Sequence, residues 1–102
     1  MKTLKATVLS VLPCRMRGKS DDQSKDTIIK FWRMRLSYPG QETLYEVELH
    51  EPLKSFAGKK YSVGLNGLVE FEMFSEPHVA VGDSIQIDAY ELGEKILGKT
   101  EL

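Results

Sequence analysis

A single cysteine, Cys14, in 102 residues leaves no internal disulfide to staple the fold. That usage fits a reducing compartment, and a cytoplasmic location is the expectation. No apolar run approaches the roughly 20 residues that a membrane-spanning helix needs. The leading stretch MKTLKATVLSVLP places Lys5, Thr7 and Ser10 among its apolar positions. That alternation is unlike the unbroken apolar core of a secretory signal.

The sequence is equally short of catalytic constellations. Its eight glycines are scattered, and Gly18-Lys19-Ser20 lacks the upstream glycine of a phosphate-binding loop. There is no Gly-x-Ser-x-Gly elbow. The two histidines, His50 and His78, stand 28 positions apart with no cysteine or third histidine at zinc-ligand spacing. Glu46/Glu48 and Glu70/Glu72 set carboxylates two apart, which on a strand is usually a solvated face. The chain therefore reads as non-enzymatic, with no metal, no cofactor, no membrane association and no small-molecule substrate expected.

What is present is β patterning. Leu4 to Val8 alternates apolar and polar residues, and the run Leu9 to Leu12 breaks the alternation, as a β-bulge does. Thr27 to Tyr38 is rich in β-branched and aromatic residues and ends at the turn signal Pro39-Gly40. Three further segments alternate, with inward sets expected at Tyr45/Val47/Leu49, Tyr61/Val63/Leu65 and Val69/Phe71/Met73. Val81-Gly82-Asp83 then launches Ser84 to Tyr90, with Ile85, Ile87 and Ala89 on one side. Helix is expected only near Pro52 to Phe56 and in the tail Gly93 to Leu97. Five or six strands at this spacing, with no linker or repeat, predict one all-β domain over residues 1–102, a small barrel or sandwich. The polar run Arg15 to Asp26 reads as the long tip of the first hairpin.

The net charge of -1 conceals a division. Residues 1–40 hold nine basic residues against three acids, a balance of +6, and residues 41–102 hold five against twelve, a balance of -7. Such a split hints at an anionic partner. The positive charge gathers on the first hairpin: Arg15, Arg17 and Lys19 going out, Lys25 at the tip, Lys30, Arg33 and Arg35 returning. On the returning strand the odd positions Ile29, Phe31, Arg33 and Arg35 share one face, setting an aromatic ring beside two guanidinium groups. A base can stack on such a ring while the cations follow the phosphates, the arrangement single-stranded nucleic acid binding uses. The plainer alternative packs Phe31 into a second apolar layer and pairs the arginines with Glu46, Glu48, Glu70 or Glu72. Trp32, Met34 and Leu36 share the other face, so Trp32 is expected in the core.

The layout from Ala6 to Leu92 resembles the filamentous-phage gene V type of single-stranded DNA-binding protein. The likeness lies in a first strand, a basic hairpin around Arg17-Gly18-Lys19, a return strand with aromatics, and the segment Gly58-Lys59-Lys60-Tyr61-Ser62-Val63-Gly64-Leu65, similar to that family's Gly…Tyr-x-Val-x-Leu strand. This chain is longer, carries one more residue between Gly58 and Tyr61, and is more acidic in its second half. The resemblance implies a five-stranded OB-type barrel; taken with the strand spacing, the expected fold is a small OB-like barrel of five or six strands with a long basic hairpin between strands 1 and 2. It further implies a homodimer that coats single-stranded DNA without sequence preference in phage or mobile-element replication, in the bacterial host cytoplasm. RNA is left open as a partner. By position, the nucleic-acid-binding role falls to Arg15, Arg17, Lys19, Lys30, Phe31, Arg33 and Arg35. A protein-interaction module, drawing on the acidic second half, is the competing reading.

Overall fold

The computed structural model describes residues 1–19, 26–51, 53 and 62–91. These form six antiparallel strands: β1 (Lys2–Lys19), β2 (Asp26–Ser37), β3 (Leu44–Leu49), β4 (Ser62–Gly64), β5 (Leu68–Met73) and β6 (Ser84–Glu91). They make one sheet in the order β4-β3-β6-β1-β2-β5. The ends of the sheet meet because β4 and β5 are joined by the tight turn Asn66-Gly67, flanked by reciprocal backbone hydrogen bonds between Leu65 and Leu68. Both turn residues have positive φ, 54° and 82°, the primed geometry that matches the twist of paired strands. The result is a nearly closed all-β barrel, consistent with the small OB-like barrel expected. No helix among the described residues is long and apolar enough to cross a membrane.

The period-2 pattern explains the core. Ala6 and Val8 from β1, Met34 and Leu36 from β2, Val69, Phe71 and Met73 from β5, and Ile85, Ile87 and Ala89 from β6 are all buried. Burying each larger side chain contributes roughly 1.5–3 kcal/mol, the main driving term for a barrel of this size. The bulge expected in the run Leu9 to Leu12 is present at its start, as a register shift between Val8 and Ser10 in the β1–β2 ladder.

Two inward sets differ from expectation. In β3 the buried residues are Leu44, Val47 and Leu49, while Tyr45 is half-buried. Glu46 adopts φ 52°, and register shifts interrupt both ladders of β3 between Leu44 and Val47–Glu48. An irregularity there resets the alternation, which sequence periodicity alone does not display. In β4 the parity is reversed: Val63 and Leu65 are exposed and Gly64 is buried. The buried ring of Tyr38 occupies the space a side chain at position 64 would need. Tyr61, the turn near Pro52 to Phe56 other than Leu53, and the tail from residue 92 lie outside the described residues. Leu53 donates its N–H to the carbonyl of His50 at 3.0 Å, an i→i−3 bond of 3-10 type.

Candidate nucleic-acid interface

β1 and β2 are longer than the barrel requires. On β1 the ladder with β6 ends at Thr7↔Ser84, and on β2 the ladder with β5 ends at Trp32↔Met73. Beyond those rungs β1 and β2 pair only with each other, out to Lys19↔Asp26. Much of the run read from sequence as a polar tip is therefore strand. Residues 20–25 lie outside the described residues.

Residues directly opposed in an antiparallel ladder lie on the same face. The register Met34↔Val11, Trp32↔Pro13, Lys30↔Arg15 and Ile28↔Arg17 therefore extends the core-facing side of the barrel along one face of the ribbon. Trp32 is half-buried and packs against the core, as expected. Beyond it Arg15, Arg17, Lys30 and Ile28 are exposed. Lys19 falls on the same row by register. Neither Arg15 nor Lys30 makes an ion pair among the described residues. Two like charges set directly across a ladder repel, a cost that an anion between them removes.

The opposite face carries Phe31, Arg33 and Arg35, with Leu12 opposite Arg33 and Cys14 opposite Phe31. Here the charges are matched. Arg33 Nε lies 2.7 Å from Glu70 Oε1, Arg33 Nη2 donates to Glu72 Oε1 at 3.3 Å, and Arg35 Nε donates to Glu70 Oε2 at 3.1 Å. The Nε contact of Arg33 is a charge contact only, because that buried nitrogen finds no hydrogen-bond acceptor. The hydrogen bond to Glu72, and then the charge of Glu70, hold the Arg33 guanidinium above its usual pKa. Its carbon also lies 5.8 Å from the centroid of the Phe31 ring, within cation–π range.

The seven residues singled out from sequence thus divide between two faces. Arg15, Arg17, Lys19 and Lys30 share one, and Phe31, Arg33 and Arg35 share the other, where the ion-paired alternative describes the arginines. Strand parity separates the residues within each strand, but only the register relates β1 to β2. One feature escaped the sequence reading: Leu12 and Met16 are exposed on the ion-paired face, beside half-buried Cys14, Ile29 and Phe31. The ribbon is therefore basic on one side and largely apolar on the other.

A second concave region lies at the barrel end from which the ribbon leaves. His50 Nδ1 is 2.9 Å from Asp88 Oδ2, and Thr3 Oγ1 donates to Asp88 Oδ1 at 2.6 Å. No group of three or more histidine, cysteine or acidic side chains could hold a metal ion among the described residues. Compared with known proteins, this chain matches no family model, no curated protein and no solved structure.

Proposed function

We propose that this chain is a non-enzymatic, largely sequence-independent single-stranded DNA-binding protein. Its biological setting, on the resemblance above, is phage or mobile-element DNA replication. The observation that carries the reading is the Arg15↔Lys30 rung, a directly opposed cation pair on an exposed ribbon, with Arg17 two rungs further out on the same face. Phosphates seated on this row neutralise the repulsion and release counterions, so affinity falls steeply with salt. The guanidinium groups of Arg15 and Arg17 can contact phosphate oxygens through two parallel hydrogen bonds.

Anisotropy titration of a labelled oligo-dT strand tests the proposal. Micromolar or tighter binding at low salt, weakened by added salt, is expected. No binding at micromolar protein and low salt overturns it. The homodimer rests on the family resemblance and is read directly by sedimentation.

A second reading, a barrel that docks another protein, has its own observation in the exposed Leu12 and Met16 on the ribbon's far side. Mild purification separates the two. A stoichiometric protein partner without excess absorbance near 260 nm selects the second, and co-purifying nucleic acid selects the first.

A further inference from the structure

The cleft at the root of the ribbon measures about 510 Å³. Leu53, Val79 and Ile85 give it apolar walls, and His50, His78, Ser84 and Gln86 bring hydrogen-bonding groups to it. Its position follows from the register. Ser84 pairs with Thr7, Val8 N–H donates to Asp83 O at 2.9 Å, and His50 N–H donates to Gln86 O at 3.0 Å. The cleft therefore lies level with Val8, just below the bulge where the ribbon departs. Arg15 stands roughly 24 Å further along β1, seven residues beyond Val8 at about 3.4 Å per residue.

We propose that this cleft binds an unstacked nucleobase of the strand whose phosphates lie on the ribbon; the inference rests on the single-strand reading above. Charge selects a base over a phosphate. Glu51 and Asp83 also line the cleft, and among the described residues no lysine or arginine does. The carboxylates among the described lining residues disfavour an anion there. Apolar walls with a few convergent polar groups suit a flat heteroaromatic ring. The contact with Asp88 occupies His50 Nδ1 and leaves Nε2 as the ring nitrogen free to meet a ligand. The Ser84 hydroxyl and the Gln86 amide together offer both donors and acceptors to a base edge.

The chain has only two histidines, and both line the cleft, so imidazole proton resonances report on it alone. The test titrates an oligo-dT strand of about fifteen nucleotides at low salt, followed by anisotropy and by the two histidine resonances, with an abasic strand of equal length in parallel. With oligo-dT, both resonances are expected to shift with the anisotropy midpoint. The abasic strand is expected to bind while leaving them unmoved. His78→Ala, at an exposed position, is expected to lose about three- to tenfold in affinity with an unchanged unfolding midpoint, the scale of one hydrogen bond. Binding with unmoved histidines and unchanged affinity of the His78→Ala variant overturns this inference alone. Equal shifts with the abasic strand overturn the choice of base over phosphate. Absence of binding by anisotropy overturns the single-strand reading and this inference with it.

Discussion

A β-carbon at position 64 would stand 2.8 Å from Cε1 of Tyr38. The tyrosine has little room to yield. Its ring is buried, its hydroxyl donates to Glu42 O at 2.6 Å, and its N–H donates to Gly67 O at 2.9 Å. Gly64→Ala should therefore destabilise the barrel by about 1–3 kcal/mol, the usual cost of overpacking, read from urea denaturation. Gly82→Ala makes the contrast. Nothing lies within 4 Å of its missing side chain, and only its φ of 94° resists substitution. A loss of about 1 kcal/mol is expected there, from the backbone alone. If the two substitutions cost the same, the Tyr38 contact is not what fixes glycine at position 64. Arg33 illustrates a cation held by its neighbours: the hydrogen bond to Glu72, and then the charge of Glu70, raises it above its usual pKa. Salt screens that partly exposed cluster.

The β1–β2 ribbon combines two designs on one element, and its two faces respond differently to mutation. On the basic face, Lys30→Ala removes a cation held directly across from Arg15. Folding stability should stay level or rise by about 0.2–1 kcal/mol, while affinity for single-stranded DNA falls. Loss of both together would mean that Lys30 is a structural contact. Much of this element was legible in the sequence. The strand from Thr27 to Tyr38, its two faces and the bulge near Leu9 follow from alternation and its interruption. The outer row of core residues in β5 and β6 was legible for the same reason. What periodicity could not supply was the partner of each residue. Arg33 and Arg35 share parity with Phe31, but only the register Arg33↔Glu72 and Arg35↔Glu70 brings them against acids. The parity of β4 was illegible because a glycine, with no side chain to pattern, occupies its inward position.

For the whole molecule, a net charge of -1 describes neither side of the ribbon. The acids Glu70 and Glu72 cancel the arginines on one face, while Arg15 and Lys30 on the other make no ion pair among the described residues. The salt dependence of binding counts which cations meet phosphate, since each contact with a single strand adds about -0.7 to the slope of log K against log salt. If the row of Arg15, Arg17, Lys19 and Lys30 carries the contacts, the slope should lie near roughly -3. If Arg33 and Arg35 also leave their glutamates to engage phosphate, six contacts give roughly -4. Arg33→Ala combined with Arg35→Ala then decides the matter. A slope unchanged by that pair, against one reduced by about 0.7 for Arg15→Ala, assigns the phosphate track to the row of Arg15 and Lys30. A slope reduced by about 1.4 for the pair moves the track to the face where Phe31 lies. In that case the ion pairs seen in the free protein are exchanged for phosphate contacts on binding, and the charge division between the halves of the chain becomes a device for holding the arginines ready.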